Sequence, residues 1–123
     1  MFHRELTTVD ITGLDEDGST RCFAYTDPFG NAAHGFLVRH EGVLRAYRNL
    51  CPHWAVALDH EGRFFDEEGE ELMCHMHGAT FDPRTGECTF GPAEGSSLEK
   101  FELEEVGGEP HLRRVLRTGG ITL

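Results

Sequence analysis

Short apolar runs separated by glycine or Asp-Gly set the rhythm of this chain. "RCFAY" (21–25), "GFLVRH" (35–40) and "VLRAY" (43–47) have strand length, and no segment sustains a helical apolar period. In "FLVRHEGVLRAY" two apolar-rich runs flank Glu41-Gly42, which predicts a tight hairpin. "FFDEEGEELM" predicts another, with an acidic tip from Asp66 to Gly69 between Phe64-Phe65 and Leu72-Met73. "TFDPRTGECTF" repeats the design around a turn at Pro83 to Gly86. "SLEKFELEEV" and "HLRRVLR" alternate apolar and charged residues, so each buries one face, and "GGEP" turns the chain between them. The pattern predicts an all-β fold, with no internal repeat or linker, and assigns no element to residues 1–20 or to the tail from Thr118.

A length of 123 residues predicts one domain, 1–123, with a modest core. With 38% hydrophobic and 27% charged residues the composition is that of a soluble globular protein, and the apolar runs are too short to cross a bilayer. The first residues, "MFHRELTTVDITG", hold acidic side chains and no apolar run ending in a small-residue cleavage site, so a cytoplasmic location is expected. A formal net charge of -11 repels nucleic acid and anionic membrane. It leaves open a protein partner with a basic face, although solubility is the commoner reason for an acidic surface. A monomer is expected. Without a secretory signal, the four cysteines are expected to be reduced thiols or metal ligands rather than two disulfides.

Two loops carry the chemistry. "NLCPHWAVAL" (49–58) holds Cys51 and His53, and "LMCHMHGATF" (72–81) holds Cys74 and His77. They flank the acidic hairpin, which folds its two ends together and brings four soft or borderline donors to one point. Each pair alone is a weak signal, and two unrelated loops with a buried cysteine and an exposed histidine are the plain alternative. A structural zinc site is a second alternative, but zinc modules usually pair Cys with Cys and His with His along the chain. Mixed loops fit two metal atoms with different ligands, one iron taking both thiolates and the other both imidazoles, as in a Rieske 2Fe-2S centre.

Through Cys51-x-His53, Cys74-x-x-His77 and the surrounding "CPHWAVAL", "CHMHGATFDPRTGEC" and "GPA" (91–93), the sequence resembles the Rieske ferredoxin family from about residue 34 to about 105. The resemblance implies an all-β Rieske fold of three small antiparallel sheets, with a cluster-binding subdomain of two loops, 51–58 and 74–81. It implies that Cys51, His53, Cys74 and His77 bind one Rieske-type 2Fe-2S cluster, with the histidines facing solvent and partner, and that the chain has no catalytic residue of its own. His75 falls on a non-ligand position. His3, His34, His40, His60 and His111 carry no motif, so surface or packing roles are expected for them. The 20 residues between His53 and Cys74, positions 54–73, exceed the spacing of most of the family. The surplus lies in the acidic hairpin, which lengthens at its tip without moving its base.

Rieske centres as a class span about −150 to +300 mV. High-potential members carry a serine directly after the His-Gly of loop two and a tyrosine two positions later, where this chain has Ala79 and Phe81. They also cross-link the loops with a disulfide at positions held here by Val56 and Met76. A low potential is therefore expected. Gly78 is expected to let the backbone approach the cluster, Pro92 to belong to a covering third loop, and Trp54 and Leu58 to line loop one. Cys22 and Cys88 are expected to be small buried apolar residues.

The function the resemblance implies is one-electron transfer from a reductase to a terminal oxygenase, with the chain no enzyme by itself and, having no mononuclear iron domain after the Rieske region, no complete oxygenase. The alternatives are the small subunit of a larger reductase, such as an assimilatory nitrite reductase, and a colourless structural zinc module.

Overall fold

The structure is a computed structural model that describes residues 5–27, 29–52, 56–76 and 78–117. Among them lie nine strands and no helix: β1 (Glu5–Asp10), β2 (Thr20–Thr26), β3 (Ala32–His40), β4 (Val43–Arg48), β5 (Leu72–Met73), β6 (Thr80–Phe81), β7 (Cys88–Phe90), β8 (Lys100–Val106) and β9 (Glu109–Arg117). All pairings are antiparallel, in a six-stranded sheet ordered β1-β9-β8-β4-β3-β2 and a three-stranded sheet ordered β5-β6-β7. β4 and β8 pair through Ala46↔Phe101 and Tyr47↔Lys100, so the described strands form two antiparallel sheets where the family resemblance implies three smaller ones; the all-β class is as expected.

The predicted hairpins form. Between β3 and β4, Glu41 and Gly42 have φ of 51° and 77°, the left-handed pair that a type I′ turn needs to match strand twist. In the acidic hairpin the Asp66 amide donates to the Glu71 carbonyl at 2.8 Å, and its carboxylate accepts from the Glu70 amide at 3.0 Å. The turn after β8 is tighter than "GGEP": Val106 already pairs with Glu109, and Pro110 lies within β9. Proline is tolerated there because the β8–β9 ladder shifts register between Glu105 and Val106, so the missing N–H falls at an irregularity. β1 was not predicted, although Thr7, Thr8, Val9 and Ile11 are the β-branched residues that favour extended chain.

Val9 and Ile11 near one edge of the wide sheet share a buried cluster with Phe23 and Tyr25 from the other. Strands are spaced by about 4.8 Å, so in a flat sheet these edges would stand roughly 24 Å apart. The sheet therefore curls until the edges meet, and Arg21 of β2 donates to the carbonyls of Asp10 and Thr12. Since Phe23 and Tyr25 point inward, the period of two turns Cys22 outward, where it is exposed rather than buried as predicted. Cys88 is half-buried, and its thiol donates to the Phe90 carbonyl at 3.4 Å.

β3 and β4 are covered on both faces. Leu37 and Ala46 join the first cluster, while Phe36, Val38 and Tyr47 join a second with Leu58, Phe64, Leu72 and Phe81. Two-sided burial explains why "GFLV" reads as a continuous apolar run. The Tyr47 hydroxyl donates to the Pro83 carbonyl at 2.7 Å and ties β4 to the turn before β7. Burial pushes the Tyr47 phenol up to about 12, with nearby Arg45 opposing the shift and Asp82 adding to it. Folding thus favours the neutral phenol, a contribution present in full below the ordinary tyrosine value near 10 and lost as pH rises toward 12, worth roughly 2–3 kcal/mol. Thermal melts from pH 8 to 12 should show this alkaline loss in the wild type and its reduction in Tyr47→Phe. At neutral pH the variant should be less stable by roughly 1–3 kcal/mol, because the Pro83 carbonyl loses its donor.

Candidate metal centre

Cys51 and Cys74 occupy equivalent places in two similarly closed loops. The Cys51 amide donates to the Val56 carbonyl at 2.7 Å, and the Cys74 amide donates to the Ala79 carbonyl at 2.8 Å. Each bond spans five residues and sets a cysteine at the base of a short loop. His53 and His77, two and three residues beyond their cysteines, lie outside the described residues, as do Trp54, His3 and the tail from Thr118. In loop two the Gly78 amide returns to the Cys74 carbonyl at 2.8 Å. The Gly78 φ of 79° is open to glycine without strain, so loop curvature is a requirement the structure places on this residue.

Both cysteines are 0% exposed, neither is in a disulfide, and both belong to one apolar cluster with Leu58, Ala79, Phe81 and Ala93. The loops are tied at Leu58, whose carbonyl accepts from the His75 amide at 3.0 Å and lies 3.3 Å from His75 Nδ1. Its amide donates to Asn49 Oδ1 at 2.8 Å, and Asn49 Nδ2 donates to Asp59 Oδ1 at 2.9 Å. Asn49 itself follows β4, anchored by its amide to the His34 carbonyl at 2.9 Å. This residue was missed in the sequence, where an asparagine at a strand-to-loop junction two positions before a cysteine is the available signal.

The segment 91–95 packs against loop two as the third loop. A Cβ placed on Gly91, whose φ is 104°, would stand 2.9 Å from the Ala79 Cα, and Ala93 is buried beside the cysteines. Pro92 is exposed. Val56 is half-buried and closes loop one, Met76 is 63% exposed, and Ala79 and Phe81 are fully buried. The other described histidines are engaged elsewhere: His75 lies 6.4 Å from the His60 ring, His40 stacks on Phe65 at 6.5 Å, and His111 lies 3.5 Å from Glu109. His34 is exposed. Among the described residues no three His, Cys, Asp or Glu side chains gather at one point, and the two buried cysteines are the described half of the predicted donor set. Two buried thiols at the bases of matched, mutually tied loops fit a cluster that takes two thiolates.

The sequence model of the Rieske [2Fe-2S] domain matches residues 7–105, so the chain belongs to that family, and the matched region begins well before residue 34. The cofactor of such a domain is a Rieske-type [2Fe-2S] cluster. The ferredoxin component of the alkene monooxygenase system of Xanthobacter autotrophicus is 34% identical over 107 residues, covering 85% of this chain and 79% of that protein. Oxidoreductase NdmD of Pseudomonas putida is 40% identical over 52 residues, which are 42% of this chain and 8% of that protein. The ferredoxin of carbazole 1,9a-dioxygenase from Nocardioides aromaticivorans IC177 shares the fold, with a TM-score of 0.63 and 23% identity over 94% of this chain and 97% of that one.

Gly91→Ala should lower stability by about 2 kcal/mol or more, since the new methyl meets Ala79 backbone and the left-handed φ is strained. Gly95→Ala, where φ is 93° but nothing lies within 4 Å, should cost less. Thermal unfolding of the two variants tests the close approach.

Proposed function

We propose that Cys51, His53, Cys74 and His77 hold the cluster and that the chain is a ferredoxin, carrying one electron at a time from a reductase to a terminal oxygenase. The observation that carries this reading is the matched pair of closed loops with a fully buried cysteine at each base. When bound, a [2Fe-2S] cluster supplies a one-electron couple. Cys51 and Cys74 would hold it from among Leu58, Leu72, Ala79 and Phe81, which exclude water there, and His53 and His77 would complete the ligand set on the side that the family resemblance turns toward a partner. The names of its relatives support the assignment to oxygenase systems, as ferredoxin components of an alkene monooxygenase and of a carbazole dioxygenase.

The same residues favour a low potential. Ala79 and Phe81 are buried beside the cysteines and bring no hydroxyl to them, and a net charge of -11 opposes the arrival of a further electron. No helix among the described residues is long and apolar enough to cross a membrane. We take the chain as one domain, 1–123, working as a cytoplasmic monomer between redox proteins.

The test is iron and zinc content with visible and electron paramagnetic resonance spectra before and after dithionite. About two irons and a Rieske-type reduced signal are expected, whereas one zinc and no colour after anaerobic reconstitution would overturn the proposal. Cys51→Ser and Cys74→Ser should each abolish the signal, and His75→Ala should keep it. Ala79→Ser should raise the potential: a hydrogen bond favouring the reduced form by about 1 kcal/mol corresponds to roughly 40 mV for one electron, measurable by redox titration.

A further inference from the structure

We infer that Asn49 is a positioning residue that sets the relative placement of the two ligand loops. The inference rests on the cluster-carrying function proposed above. The Asn49 backbone, just past β4, is anchored to the sheet by its amide, which donates to the His34 carbonyl at 2.9 Å. Its side chain reaches across the whole of loop one, accepting from the Leu58 amide at 2.8 Å and donating to Asp59 Oδ1 at 2.9 Å. The other face of the same Leu58 residue belongs to loop two, because its carbonyl accepts from the His75 amide at 3.0 Å. A continuous chain of hydrogen bonds therefore runs from β3 through Asn49 and Leu58 to the residue after Cys74.

Each link suits its place. Leu58 is 0% exposed, so an amide deprived of Asn49 has little access to water and loses a bond that is costly to leave unmade. Asp59 is fixed in turn, its second carboxylate oxygen accepting from the Gly62 amide at 3.1 Å. The carboxamide of Asn49 is matched in polarity to both neighbours, with its oxygen toward an N–H and its nitrogen toward a carboxylate. An aspartate at this position would keep the bond to Leu58 but set two carboxylates against each other.

This polarity supplies a test that bulk or packing at position 49 would not pass. Asn49→Asp should release iron to a chelator on the order of 10-fold faster than the wild type, the low end of the range for outer-shell partners of a metal site. Its reduced paramagnetic signal should broaden or shift as the loops lose a single arrangement. In Asn49→Asp combined with Asp59→Asn the donor and acceptor exchange places, net charge returns to that of the wild type, and both properties should recover. A double variant no better than Asn49→Asp, or an Asn49→Asp chain that holds iron like the wild type, would overturn the role. Should either variant fail to fold, hydrogen exchange on the wild-type protein decides: the Leu58 and His75 amides should be protected together, and exchange as fast as that of an exposed loop would overturn the inference. Failure of the underlying carrier reading is seen separately, as a wild-type protein that binds no iron-sulfur cluster.

Discussion

The stacking of Phe36 on Phe64 is the contact on which the rest of the molecule hangs. Their rings lie 4.1 Å apart at 18°, both side chains are within 2% of complete burial, and they join β3 of the wide sheet to the hairpin that separates the two cysteine-bearing loops. Such a pair contributes about 0.5–1.5 kcal/mol beyond the burial of its area. Its larger consequence is geometric. Because Phe36 is pinned from one face and Leu37 from the other, β3 and β4 act as a wall between two cores, and the cysteine-bearing segments are packed against a sheet they do not join by strand pairing.

From that wall the site is built outward in order of decreasing regularity. β4 ends at Arg48, and the next residue anchors loop one; β5 ends at Met73, and the next residue is Cys74. Each cysteine thus sits within three residues of a strand end, while the residues beyond it are held by single bonds such as Cys51 to Val56 and Cys74 to Ala79. A strand end is the place where a backbone is still ordered but side chains are released from the alternation of the sheet, which suits donors that must converge from two directions. The small residues at Ala79, Gly91 and Ala93 then allow a third loop to close against loop two at backbone contact distance.

The sequence disclosed what depends on local chemistry. The Glu41-Gly42, Asp66–Gly69 and Pro83–Gly86 turns were legible because turn residues act on their own backbone, and the cysteine and histidine spacing was legible because donor types are few. What was hidden depends on distant partners. Cys22 looks like a buried residue until Phe23 and Tyr25 claim the inner face of β2. β1 is a modest β-branched run whose identity comes from β9, more than a hundred residues away. Asn49 shows in sequence only its place at a strand-to-loop junction, not its partners, which lie nine and ten positions on across a loop whose path is not local information.

The acidic hairpin is held apart from the two cysteines by its own bonds. Its tip is a turn closed by Asp66, whose amide and carboxylate both bond across it. Its return arm is fastened to the small sheet, where Thr89 Oγ1 donates to Glu71 Oε1 at 3.2 Å and lies 2.8 Å from Thr80 Oγ1. At its base, Met73 bonds back to Phe64 at 2.8 Å, so Cys74 starts from a fixed point whatever the tip holds. Closing a longer loop costs little once its ends are fixed, since the entropy grows only with the logarithm of length. Glu67, Glu68 and Glu70 stand at the exposed tip, while the placement of the two cysteines is set below them by packing among Phe36, Phe64 and Leu58.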